Sequence, residues 1–146
     1  MEPILQAIPQ LSAYSPALLW LVLLCIMIII QAVLAGVLGL AGGEETAGMP
    51  LQGDHTKRSF RVLRTYHNSV ENMGVMTTTT FLAIIAGVSV AMVNWLVGLH
   101  VLLRVAYWAV YYSGVGKVGG GLRTMVYVAA LLMNAILAIL TMLALL

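Results

Sequence analysis

From residue 11 to residue 40 the chain carries no charged side chain (LSAYSPALLWLVLLCIMIIIQAVLAGVLGL). Crossing a hydrocarbon core about 30 Å thick takes roughly 20 apolar residues in a helix. This run is therefore read as a membrane span, and it fixes the solvent in which the rest must fold. Ser15-Pro16 supplies a helix start, with Pro at the first helical position. The first ten residues carry only Glu2 and no basic segment, so the run is expected to remain as helix 1 and not to be a cleaved signal peptide. Further apolar stretches cover 73–93, 94–112 and 122–146. Inside a bilayer every backbone N–H and C=O must be bonded within the protein, which a helix does by itself.

The sequence thus predicts an all-α integral membrane protein, a four-transmembrane-helix bundle in a single domain, 1–146. Helix 1 is placed at about 11–40, a loop at 41–56, helix 2 at about 57–93, helix 3 at about 94–112 with Asn94 marking its tight connection, a loop at 113–121, and helix 4 at about 122–146. Composition leaves room for nothing else. Of 146 residues 62% are hydrophobic and 8% charged, against about 25% charged in a soluble domain. The formal charge of +2 is too small to point to nucleic acid. The single cysteine, Cys25, lies inside an apolar run and has neither a disulfide partner nor a metal cluster around it.

Polar residues in such a chain carry the information. Lys57, Arg61, Arg64, Asn68 and Glu71 are spaced by four, three, four and three residues, which at 100° per residue keeps them on one stripe of helix 2. Lys57 and Arg58 suit a solvated end. Arg64, Asn68 and Glu71 approach the hydrocarbon, where an unpaired charge is costly, so they should face the bundle interior and pair with each other or with a polar ligand. Helix 3 repeats the pattern with His100, Arg104, Tyr107 or Trp108, and Tyr111. Arg104 lies about 13 Å from the helix end at 1.5 Å per residue, too deep for a loop charge. It is read either as pairing with Glu71 or as touching a ligand. Tyr107, Trp108 and Tyr112 suit an aromatic belt at the interface, while Tyr111 shares the face of Arg104. His100 lacks a second ligand at metal-binding spacing, and no metal is expected. Arg123 and Thr124 open helix 4, with Tyr127 one turn on. Free first-turn N–H groups and the helix dipole make that corner attractive to anions. The glycines of SGVGKVGGG fit no phosphate-loop pattern.

The segment RVLRTYHNSVE, Arg61 to Glu71, resembles the Arg-x-x-Arg-x-x-x-Asn-x-x-Glu signature of the membrane-associated proteins in eicosanoid and glutathione metabolism. RVAYWAVY from Arg104 and LRTMVY around Arg123 look most like the microsomal prostaglandin E synthase and microsomal glutathione transferase branches. The resemblance covers essentially the whole chain in helix count, loop order and charge placement. It implies a homotrimer with glutathione as bound co-substrate between protomers near the cytoplasmic face, and a hydrophobic small-molecule or lipid substrate entering from the membrane. It further implies that Asn68, Glu71, Tyr111, Arg123, Thr124 and Tyr127 contact glutathione and that Arg64 and Arg104 support the polar core. His67 and Tyr107 complete the candidate set. Arg123 would stabilise the thiolate, with the hydroxyl of Thr124 in reach of the sulfur. The activity so implied is a detoxifying glutathione transferase or peroxidase acting on hydrophobic electrophiles or lipid hydroperoxides. Three features depart from the pattern: His67 stands where members often carry Arg, helix 1 has no Arg, and the third loop is longer and richer in glycine. A non-enzymatic lipid-binding or scaffold member of the same fold is the alternative. A small multidrug exporter would need a carboxylate in helix 1, and none lies between Pro3 and Gly43.

Cytoplasmic loops carry the excess of Lys and Arg, and Lys57, Arg58, Arg61, Arg64, Lys117 and Arg123 all flank the first and third loops. Reporter fusions at either terminus should therefore report the non-cytoplasmic side, with the charged face in the cytoplasm. A cytoplasmic signal from either fusion would contradict this orientation.

Overall fold

The computed structural model describes residues 9–41, 54–117 and 120–146; most of the expected 41–56 loop and part of the 113–121 loop lie outside them. After a short helical turn at Pro9–Ser12, four long helices follow: α1 (Ser15–Ala41), α2 (Arg58–Ile85), α3 (Val90–Ser113) and α4 (Leu122–Leu145). No strand occurs among the described residues. α1, α3 and α4 are each long and apolar enough to cross a membrane. α2 has the length, and its first half carries the polar stripe.

α2 stops eight residues earlier than the hydropathy of 73–93 suggests, and α3 begins at Val90 rather than at Asn94. The cause is a glycine stop. Gly87 takes φ +72°, its N–H donates to the carbonyl of Ile84 (3.2 Å), and the N–H of Val88 reaches back to Ala83 (3.0 Å). This is the Schellman pattern of paired bonds that satisfies the last carbonyls of a helix, and its left-handed position suits glycine. Val88, next in sequence, is buried. A continuous apolar run thus hides a reversal, and α2 and α3 become antiparallel neighbours.

Asn94 has a different task from the turn residue expected of it. Its Nδ2 donates to the carbonyl of Ala13 (3.0 Å), and its Oδ1 accepts from the N–H of Ala17 (3.1 Å). The first N–H groups of a helix have no intrahelical partner, so α3 caps α1 from across the bundle. Tyr14 adds a second tie, its buried hydroxyl donating to the carbonyl of Val88 (2.7 Å).

α2 and α3 both pack against α1 and α4. Ala17, Leu21, Leu24 and Ile28 of α1 recur at helical spacing and meet Met76 and Ala83 of α2, Val93, Val97 and Val101 of α3, and Leu137 of α4. The opposite face of α1 is just as apolar: Leu19, Val22, Ile26, Ile29, Val33 and Val37 are exposed. A helix apolar all round suits lipid on its outer side. Polarity instead changes along the bundle axis. Toward the end where α2 begins and α3 finishes, the buried residues become Thr65, Asn68, Ser69, Arg104, Tyr107 and Tyr111.

Replacing Asn94 with Ala removes both bonds to α1 and should lower stability by about 1–2 kcal/mol. Thermal unfolding in detergent would read this as a reduced Tm. An unchanged Tm would mean that α1 docks without its cap.

Candidate functional site

The polar end holds a cavity of about 390 Å³ lined by Arg64, Asn68 and Glu71 from α2, Tyr107 and Tyr111 from α3, Arg123, Thr124 and Tyr127 from α4, and His55 from the segment before α2. The α2 members fall at four and three residues, one face of a helix. Arg64 and Glu71 are the one ion pair among the described residues, at 3.4 Å. Their side chains are 43% and 54% exposed in the single protomer. Asn68 is buried, and its Oδ1 has no partner within the protein.

Two candidates from the sequence do not line this cavity. His67 is exposed, its ring beside that of Tyr66. Being 100° around the helix from Asn68, it turns outward when the Arg64, Asn68 and Glu71 stripe turns inward. Arg104 lies behind the wall, 1% exposed. Its Nη2 donates to Ser69 Oγ (3.1 Å), and its guanidinium carbon stands 4.7 Å from the centroid of the Tyr107 ring. Glu71 is paired with Arg64, so the expected Arg104–Glu71 pair is replaced by a hydroxyl and an aromatic face. Cation–π attraction gains strength away from water, which suits this depth.

His55 escaped the sequence reading, where it fell in a loop recognised only by its Gly and Pro content. The segment Asp54-His55-Thr56 folds locally. Asp54 Oδ1 accepts from both the N–H (2.8 Å) and the hydroxyl of Thr56, an Asx turn of the kind Asp favours. These two donors hold the Asp54 carboxyl below its ordinary value. Arg61 Nη1 then donates to the carbonyls of His55 and Thr56, each at 2.8 Å. Arg61 in turn lies against Gly114, where a Cβ would stand 2.9 Å from its Cζ and where φ is +69°. Glycine there lets the α3 terminus and the α2 entrance meet. The imidazole that results packs edge-on against Phe60, with ring centroids 5.0 Å apart.

Nδ1 of His55 lies 3.1 Å from Arg123 Nη1 and 2.6 Å from the Tyr111 hydroxyl. A guanidinium only donates, so Nδ1 carries a lone pair and the neutral ring has its proton on Nε2. Burial, and after it the charge of Arg123 with smaller effects from Arg64 and Arg61, holds His55 below its ordinary pKa; Asp54 opposes them. Arg123 also covers the Tyr111 ring, 4.7 Å from its centroid. Arg64 and Arg123 face the cavity against the single carboxylate of Glu71, and that surplus favours an anionic guest. No group of three or more His, Cys, Asp or Glu side chains that could hold a metal occurs among the described residues.

The model of the MAPEG family matches residues 17–143, most of the chain. No curated protein and no solved structure matches it.

Well above pH 6.5, the ordinary histidine value, His55 is neutral in folded and unfolded chains alike. As the pH falls below 6.5 the unfolded chain takes up a proton that the fold resists, so stability declines until the lower folded pKa is passed. His55→Gln should flatten this acid limb of a Tm against pH profile. A profile unchanged by the substitution would assign the limb to other groups.

Proposed function

The chain belongs to the MAPEG family, and from that premise we propose that it is a glutathione-dependent membrane transferase, in the manner of the prostaglandin synthase and glutathione transferase branches. The observation that carries this reading is the convergence of motif residues from three helices on one cavity with surplus positive charge. Its volume of about 390 Å³ falls within the roughly 300–1,000 Å³ of small-molecule sites. Glutathione presents an ammonium, two carboxylates, amides and a thiol. Glu71 suits the ammonium, Arg64 a carboxylate, and Asn68, Tyr111 and Tyr127 the amide and carboxyl groups between. Arg123 suits the sulfur, with Thr124 lining the same cavity. Arg104 supports the wall through Ser69 and Tyr107.

Arg123 would act on the thiol by charge. A free cysteine thiol has a pKa near 8.5, leaving a few per cent as thiolate at pH 7. A neighbouring cation lowers an acid by about 1–3 units, and a shift of roughly 1.5 would bring half of the bound thiol to thiolate. The thiolate then attacks a hydrophobic electrophile or a lipid hydroperoxide arriving through the bilayer. α4 presents Met125, Val128 and Leu132 as exposed apolar residues along the same helix, a surface on which such a molecule can lie. Exposure of the Arg64–Glu71 pair in one protomer supports a homotrimer, since ions at that depth need cover from a neighbour. The distribution of Lys and Arg turns the cavity toward the cytoplasm.

Isothermal titration of the purified protein with glutathione should give a saturable signal at millimolar concentration or below, with a thiolate ultraviolet band. Arg123→Ala should reduce that band about tenfold or more, whereas Arg104→Ala should chiefly lower thermal stability. A variant lacking Arg123 that keeps both band and turnover would refute the assignment. Saturable binding without turnover on any electrophile tried would favour the lipid-binding or scaffold reading.

A further inference from the structure

We propose that His55 is the acceptor of the thiol proton, so that the co-substrate ionises inside the cavity without giving its proton to solvent. This inference rests on the glutathione reading above. Its ground is geometric. The Nδ1 lone pair of His55 already accepts from Arg123 Nη1 at 3.1 Å, the donor assigned to the sulfur. A thiol that approaches Arg123 meets Nδ1 at the same corner, with the Tyr111 hydroxyl 2.6 Å from that nitrogen. His55 also lines the cavity itself. The Asx turn and the two bonds from Arg61 to the backbone hold the ring there, so the acceptor is positioned before any ligand arrives.

The step balances without another reactant. The S–H bond breaks and its electron pair stays on sulfur, where Arg123 and the hydroxyl of Thr124 donate to it. The Arg123 N–H turns from Nδ1 to the sulfur, and the proton forms a bond to the freed Nδ1 lone pair, with the Tyr111 oxygen turned to accept from it. With Nε2–H already present, the ring becomes an imidazolium. Total charge in the cavity is unchanged by the transfer. When an epoxide opens under attack, the same proton can return to the alkoxide oxygen and leave His55 neutral.

Charged and titratable groups surround His55: Arg61 and Arg64 of α2, Tyr111 of α3 and Arg123 of α4, with Asp54 beside it in sequence and Lys117 lining an adjoining cavity. Before binding, the arginines resist a second positive charge on the ring. Glutathione brings a net negative charge and, once ionised, a thiolate next to the imidazolium. Both favour the proton on His55 only while the ligand is present. The ring is therefore an empty acceptor at neutral pH and a filled one in the complex.

Counting protons tests this. At pH 7.5 a thiol of pKa about 8.5 is roughly nine-tenths protonated, so thiolate formed by loss to solvent releases close to one proton. The full-length protein is titrated with glutathione in weakly buffered solution containing a pH indicator, and the thiolate band is recorded alongside. Wild type should release close to none per thiolate. His55→Gln, whose amide oxygen still accepts from Arg123 but takes no proton, should release close to one. Release of one proton by the wild type, or equal retention by the variant, would overturn the proposal while leaving glutathione binding intact. Absence of saturable binding or of any thiolate band in the wild type would instead overturn the functional reading on which it rests. Should the variant form no thiolate, NMR of labelled histidine in the wild type decides: His55 must move to the imidazolium position when glutathione binds, and a ring that stays neutral refutes its role.

Discussion

An arginine left only 1% exposed, Arg104, is the constraint around which this bundle is built. Arg104 sits in the second half of α3, enclosed by the neighbouring helices. Removing such a charge from water costs several kcal/mol even after relaxation, so the helices around it must supply partners. Ser69 of α2 and Tyr107 of α3 meet part of this demand, while Nε and Nη1 have no partner within the protein. This requirement fixes how α2 turns about its axis. With Ser69 inward toward Arg104, Thr65 and Val62 follow it inward, and Arg64, Asn68 and Glu71 come to the edge facing α4. The buried cation thus orients the stripe that lines the cavity. α1, lacking any charge, contributes packing and lipid contact but no side chain to the cavity lining.

Arg104, behind the cavity wall, and Arg123, in its lining, differ in kind because their surroundings differ. Arg104 is enclosed, and its charge meets one hydroxyl and an aromatic face. Arg123 stands at the first turn of α4, where N–H groups without intrahelical partners and the helix dipole add positive potential. It donates to the lone pair of a neutral ring and covers the face of Tyr111. A neutral acceptor satisfies the hydrogen bond but not the charge. Arg123 therefore retains a demand for an anion that Arg104, out of reach of any ligand, cannot express.

Much of this arrangement was legible in the sequence. Lengths of apolar runs gave the helices, because a bilayer leaves few alternatives. Spacing at four and three residues gave the α2 face of Arg64, Asn68 and Glu71, whereas its meeting with Tyr107, Tyr111, Arg123, Thr124 and Tyr127 was implied by the family resemblance. Periodicity also held the clue that His67 lies outside, since it neighbours Asn68 at 100°; analogy with the arginine of related chains outweighed it. The reversal at Gly87 was hidden by hydropathy that continues unbroken through it, although a lone glycine before a short polar break is a known helix stop. Asn94 reads as a turn residue because it is polar among apolar neighbours, but it lies inside α3 and its partners, Ala13 and Ala17, are at the start of α1, far away in sequence. No local pattern reveals a cap supplied from another helix. The partner of Arg104 was equally hidden. Charge rules favour a carboxylate, yet Glu71 has a cation on its own helix two turns back.

His55 shows why loops resist such reading. Its position depends on a chain of short-range events: an Asx turn at Asp54, an arginine six residues on that binds the backbone, and a left-handed glycine on a different helix that gives the arginine room. Each has a sequence signal, Asp-x-Thr and a glycine after an aromatic helix end, but none points to the others. Together they carry an imidazole into a cavity otherwise built wholly from helices. The helices offer arginines, a carboxylate, an amide and hydroxyls. The loop adds the one group lining the cavity whose ordinary pKa lies near 6.5. A site with arginines alone can stabilise an anion but must leave the departing proton to water. Placing His55 between Arg123 and Tyr111 joins charge stabilisation to proton acceptance at a single corner.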